Sequence, residues 1–289
     1  MFTRRALAGL IALAALLPVG GAEAVSAASA AYSGSASSAP SAVSAVASEQ
    51  ASLSASFTPD RLGASTTIGF RLHVQTTNGQ APPPMTGMVL HMPAGMNYTL
   101  TTLGLAICQP SVLQAQGVKG CPPNSRLGAG SAIVEVPFGT GSGHEIPEIQ
   151  AVAGPPTAGG NMVVLFYANG QTPVFAQLVF DGEVLPDSSP FGTKLATSVP
   201  LIPSVPGGPD VSIVEVNATI GPSGLTYYKR VHGRLRTFHP LGIGVPERCP
   251  RAGFPFSATF TFQDGSQTSA STTVPCPPPR TAPRPRHGH

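Results

Sequence analysis

Tryptophan is absent from this 289-residue chain, charged residues make up only 10% of it, and cysteine occurs four times. Each scarcity excludes something. Without tryptophan and with five tyrosines, an aromatic platform for stacking sugars has few residues from which to be built. With so little charge, the surface must be made of Ser, Thr, Gln, Gly and Pro rather than of ion pairs. After the run Ala6 to Val19, no segment has the unbroken apolar length that a spanning helix requires, so no membrane span is expected. Cys-x-x-Cys and Cys/His ligand spacings are missing as well, so neither a metal nor another cofactor is implied.

The net charge of +3 resolves into ends and middle. Arg4 and Arg5 lie at the amino terminus and Arg280, Arg284 and Arg286 in the tail. The remainder is close to neutral and lacks the basic footprint of a nucleic-acid binder. Within it, Lys229, Arg230, Arg234, Arg236, Arg248 and Arg251 cluster late, while Glu135, Glu145, Glu148, Asp181, Glu183 and Asp187 lie in the middle. That pattern reads as two solvated faces.

What is present begins with an export signal. Arg4 and Arg5 precede the apolar run, and Ala22-Glu23-Ala24 has the small residues that a signal peptidase needs. Residues 1–24 therefore read as a signal peptide. No cysteine near that point and no apolar carboxyl-terminal tail suggest a lipid anchor. Residues 25–51, almost entirely Ala and Ser, form a disordered spacer in this reading, residues 52–277 the folded region, and residues 278–289 a disordered Pro/Arg tail.

Export places Cys108, Cys121, Cys249 and Cys276 where disulfides persist. Of the three connectivities open to four cysteines, nearness in sequence favours Cys108 with Cys121 and Cys249 with Cys276. Each closure is worth about 3 kcal/mol in the chain-entropy model.

With 33 glycines and 32 prolines, long helices are disfavoured and strand patterns dominate. Ile68, Phe70, Leu72 and Val74 alternate with polar residues, and Phe254, Phe256, Ala258, Phe260 and Phe262 repeat the period of two. Met162 to Ala168 is apolar on both faces and suits a central strand. Asn169-Gly170, Asp181-Gly182 and Asp264-Gly265 are turn signals. The count is roughly ten to twelve strands, plus a helical turn or two at Ser111 to Gln116. The expected class is all-β: an antiparallel β-sandwich, one large or two packed, with a disulfide-clamped loop and a clamped carboxyl-terminal hairpin. The proline-rich residues 199–210 mark the internal boundary candidate.

The segment Leu90 to Val136 resembles uncharacterised secreted proteins of high-GC actinobacteria. In these, a strand ending in Pro-x-Gly-(Leu/Met) precedes a cysteine, a short helical piece and Cys-Pro-x-x-Ser-x-(Val/Leu)-Gly-x-(Gly/Ala). The matching residues are Pro93, Gly95, Met96, Cys108, Cys121, Pro122, Ser125, Leu127, Gly128 and Gly130. The resemblance implies export and a β-rich fold, and it carries no catalytic residues with it.

Catalytic patterns are weak. Gly139 to His144 (GTGSGH) fails the Gly-x-Ser-x-Gly elbow and reads as a hairpin loop. His73, His91 and His144 are the histidines a triad would draw on. Asp181, Glu183, Asp187, Asp210 and Glu215 are the carboxylates a glycosidase would use. Tyr227, Tyr228, Lys229 and Arg230 form the aromatic-basic patch that is the candidate ligand surface. The leading expectation is an exported, non-enzymatic protein with a structural or interaction role at the cell envelope or outside the cell, its partner a cell-wall polymer or another envelope protein. The alternatives are an extracellular carbohydrate-active or other hydrolase, and a glycan-binding module.

Overall fold

The computed structural model describes residues 48–98, 106–221, 227–238 and 242–277. Four strands precede the first cysteine loop: β1 (Glu49–Thr58), β2 (Ser65–Thr76), β3 (Met85–Pro93) and the two-residue β4 (Asn97–Tyr98). The loop carries one short helix, α1 (Pro110–Gln116). A run of strands follows: β5 (Arg126–Phe138), β6 (Gly141–Glu145), β7 (Glu148–Gly154), β8 (Met162–Gly170), β9 (Ala176–Pro186) and β10 (Phe191–Ser198). After the proline-rich segment come β11 (Ser212–Ile220), β12 (Tyr227–Val231), β13 (Arg234–Phe238), β14 (Ile243–Gly244), β15 (Phe254–Phe262) and β16 (Gln267–Val274).

Among the described residues, fourteen of these strands join one antiparallel sheet in the order β16-β15-β3-β10-β9-β8-β7-β5-β11-β2-β14-β4, with β1 on β2 and β6 on β5. The sheet curls until it is nearly barrel-shaped. At the seam, Thr268 of β16 donates its hydroxyl to the Glu49 carbonyl of β1 at 3.0 Å, and Phe57 of β1 meets Phe254 of β15 edge to face at 5.4 Å. Strand β11 enters between β5 and β2, and β14, β15 and β16 join the same sheet, so most strands beyond the proline-rich segment belong to it.

Alternation decides the core. On β2, Ile68, Phe70, Leu72 and Val74 face inward, and on β15 Phe254, Phe256, Ala258, Phe260 and Phe262 do the same. Aromatic pairs lock the two sets together, Phe70 against Phe256 at 5.6 Å. Strand β8 is apolar on both faces for a visible reason. Val164 and Phe166 join the main core, while Val163, Leu165 and Tyr167 join a second cluster with Leu113 of α1. The first cysteine loop is thus a lid on the outer face of the sheet. Its disulfide, Cys108–Cys121, is buried in that cluster, and Cys249–Cys276 ties the start of β15 to the end of β16.

Two expected turns instead belong to strands. Asp181-Gly182 lies within β9, where a Cβ at residue 182 would stand 2.6 Å from Thr197 Oγ1 and 2.8 Å from Leu195 Cδ1. That glycine is there for close packing. Asn169-Gly170 closes β8, and the connection to β9 is made by residues 171–175. Asp264-Gly265 does turn the last hairpin: Gly265 has φ 85°, and Asp264 Oδ1 accepts from the Ser266 amide at 2.9 Å.

The strand directions give the body two ends. One end, here the mouth, gathers residues 77–84, 138–147, 171–175, 199–211 and 263–266. Ser212 Oγ donates to the Pro82 carbonyl at 2.6 Å, and Gln263 Nε2 donates to Asp210 Oδ2 at 2.9 Å. The opposite end holds both disulfides and the start of β2, while α1 lies along the outer face, where Gln114 Nε2 donates to the Gln177 carbonyl of β9 at 3.3 Å.

Candidate functional site

Strands β12 and β13 form a two-stranded ribbon separate from the main sheet. It is inserted between β11 and β14, at the end opposite the mouth. His232 and Gly233 turn it, with φ of 49° and 77°, the paired positive values of a two-residue hairpin turn. A His-Gly step between two runs was the available sequence signal for this turn.

All four residues of the expected ligand surface, Tyr227, Tyr228, Lys229 and Arg230, fall on β12. The register pairs Tyr228 with Thr237 and Arg230 with Leu235, so these four share one face. Tyr228 is 66% and Leu235 65% exposed. Arg234 and Arg236, the latter in register with Lys229, belong to the other face. Arg230, Arg234 and Arg236 are exposed, and none of the ion pairs among the described residues involves them. From residue 216 to residue 246 the sequence contains no Asp or Glu.

The three triad candidates His73, His91 and His144 lie in three places. His91 Nδ1 hydrogen bonds Asp187 Oδ2 at 2.6 Å, and its ring packs on Phe191 at 5.2 Å. That hydrogen bond holds the Asp187 carboxyl below its ordinary range; burial opposes the effect, and the Ser188 amide and Lys194 add to it. Ser257 stands opposite His91 in the β15–β3 register, but its hydroxyl donates to the Ala270 carbonyl at 3.3 Å. His144 Nε2 lies 3.9 Å from Glu135 Oε2, and Ser142 donates to the other oxygen of the same carboxylate. The acid sits between serine and imidazole, an order that does not give the serine a base. His73 lies 3.8 Å from Glu215.

The candidate carboxylates are likewise dispersed. Glu215 lies beside Arg71, whose Nε donates to Asn217 Oδ1 at 2.7 Å. Glu183 accepts from Asn161 at 2.8 Å, Asp210 from Gln263 at the mouth, and Asp181 is exposed on β9. Glu215, Glu183 and Asp210 each have a different polar neighbour, and Asp181 shares β9 with Glu183. Among the described residues, no three His, Cys, Asp or Glu side chains group as a metal site would need. No helix among them is long and apolar enough to cross a membrane.

Sequence reasoning missed one feature. Glu145 is buried, and its two oxygens accept from the backbone amides of Thr172 at 3.1 Å and Val174 at 3.3 Å. A carboxylate serving a loop 27 residues away leaves no local pattern. The chain matches no protein-family model, no curated protein and no solved structure.

Proposed function

We propose that the chain is an exported, non-enzymatic β protein of the cell envelope or extracellular space that holds an anionic envelope polymer, such as a cell-wall glycan, on the ribbon β12–β13. The actinobacterial resemblance of residues 90–136 supports export, and the two disulfides fit an oxidising compartment. One observation carries the reading: a ribbon with four cationic residues and no acid presents Tyr228 and Leu235 to solvent. An isolated two-stranded ribbon is marginally stable in water. Arg230, Arg234 and Arg236, all exposed on this ribbon with no Asp or Glu between residues 216 and 246, lower that stability further by mutual repulsion. An anionic partner offsets the repulsion, and tyrosine beside arginine suits a polymer carrying both sugar rings and negative charge.

The test is co-sedimentation of the purified protein with cell walls. Retention should fall about tenfold in Tyr228→Ala and in the double variant Arg230→Gln/Arg236→Gln, each such loss corresponding to about 1.4 kcal/mol. It should also weaken as salt rises from about 0.1 M to about 1 M, which shortens the screening length from about 10 Å to about 3 Å. Unmutated protein that stays in the supernatant, or variants retained as well as it is, would rule the reading out. The hydrolase reading draws support only from the His91–Asp187 pair. It requires a turnover that His91→Ala abolishes.

A further inference from the structure

The strands meeting at the mouth enclose a cavity of about 80 Å³ within an open space of about 730 Å³. Val134, Ile149, Leu178, Phe180, Ile202 and Ile213 form much of its wall, contributed by β5, β7, β9, β11 and the proline-rich segment. Glu145 is its one polar side chain, and both of its oxygens are engaged by the Thr172 and Val174 amides. A ligand's buried part therefore meets no free hydrogen-bonding side chain.

The rim repeats this chemistry. Ile146, Phe175 and Leu201 are 68%, 69% and 39% exposed. Each is flanked on both sides in sequence by residues of the cavity wall: Glu145 and Pro147, Val174 and Ala176, Pro200 and Ile202. Three separate loops thus send neighbours into the cavity and leave one large apolar side chain in water. Core packing does not require that. An apolar rim around an apolar cavity at the mouth of a curled sheet is the form a binding site takes.

Charge narrows the occupant. Residues 77–84, 138–147, 171–175, 199–211 and 263–266 contain no Lys or Arg, and their acids are Glu145, Asp210 and Asp264. Apart from His144, whose imidazole faces Glu135, no cationic side chain among the described residues of the mouth would hold a phosphate, sulfate or carboxylate head. We propose that the mouth binds the end of an alkyl or acyl chain belonging to an amphiphile with an uncharged head group. The chain end enters the cavity, and the rest lies along Ile146, Phe175 and Leu201.

The test uses the full chain with N-phenyl-1-naphthylamine as fluorescent reporter. The expected result is saturable one-site binding, displaced by 1-monolauroylglycerol below its micelle concentration and not by glycerol. Laurate, which adds a negative head, should displace more weakly. Each methylene denied apolar contact costs about fourfold in affinity. Ala168→Phe, which fills the cavity from β8, should therefore weaken 1-monolauroylglycerol about tenfold or more, and Phe175→Ser about fourfold. Phe175 is exposed, so that variant folds, and it decides the matter alone if Ala168→Phe does not give the native circular dichroism. Binding that does not saturate, equal affinity in the folded variants, or laurate binding as tightly as the neutral ester would overturn the proposal.

Discussion

Glu145 and Gly170 provide the sharpest test of the packing. Glu145 is 6% exposed, and its carboxylate bonds two amides of the β8–β9 connection. Hydrogen bonds to a charged group contribute about 1.5–3 kcal/mol each, and a buried donor left without a partner costs about 1–3 kcal/mol. The amides are near solvent, so Glu145→Ala should cost about 3 kcal/mol in all. Gly170 makes room for the carboxylate, since a Cβ there would lie 2.4 Å from Glu145 Oε1. Gly170→Ala should therefore displace the carboxylate and cost about 2 kcal/mol. With Glu145 already truncated, the nearest remaining atom is the Val174 carbonyl oxygen at 3.3 Å, and the second change should cost about 1 kcal/mol or less. The double-mutant cycle thus predicts a coupling of about 1–2 kcal/mol. Urea unfolding followed by far-ultraviolet circular dichroism measures all four corners. Costs additive within about 0.5 kcal/mol would show that the carboxylate and the glycine do not share the site as described.

Three further outcomes follow from the fold. Phe256→Ala removes a fully buried ring that packs on Phe57 and Phe70, and should lower stability by about 3–5 kcal/mol in the same urea assay. Replacing Cys249 and Cys276 by serine opens a closure of 27 residues, and the chain-entropy model gives a loss of about 3.5 kcal/mol, readable as a lower urea midpoint with a steeper slope as the unlinked denatured chain exposes more surface. The lowered Asp187 pKa sets the sign of a pH effect: its contribution is complete above the ordinary carboxylate value and is lost as pH falls through the lowered one. Asp187→Asn should therefore cost stability at pH 7 and flatten the decline below about pH 4; parallel stability curves for the two proteins would contradict this.

Where one face of a strand is buried along its whole length, the sequence was sufficient. Strands β2 and β15 keep strict alternation because every second residue meets the same core. Shorter elements were not legible: β4 and β14 are two residues each, held by register with β2 and with each other rather than by any pattern of their own. The glycines misled for a physical reason. Gly182 looks like a turn residue and is a packing residue, because Thr197 and Leu195 come from a neighbouring strand that the local sequence does not announce. The aromatic-basic residues of β12 were visible, but their isolation on a ribbon was not. The mouth was invisible altogether, since its wall is assembled from segments spread from Met85 to Ile213.

The two proposed sites occupy opposite ends of the same ladder, and that separation makes them independent in a way that can be measured. The mouth loops are bonded to one another through Ser212, Pro82, Gln263 and Asp210. The ribbon hangs between β11 and β14, where β2 and the first cysteine loop begin and end. No side chain is shared between them, and effects of changes at distant, unconnected positions add within about 0.5 kcal/mol. Arg230→Gln/Arg236→Gln should therefore leave displacement of the naphthylamine probe unchanged, and Phe175→Ser should leave wall retention unchanged. A shift of more than about twofold in either cross-measurement would mean that the sheet transmits strain between its ends, and the account of a rigid scaffold carrying two separate surfaces would have to be replaced.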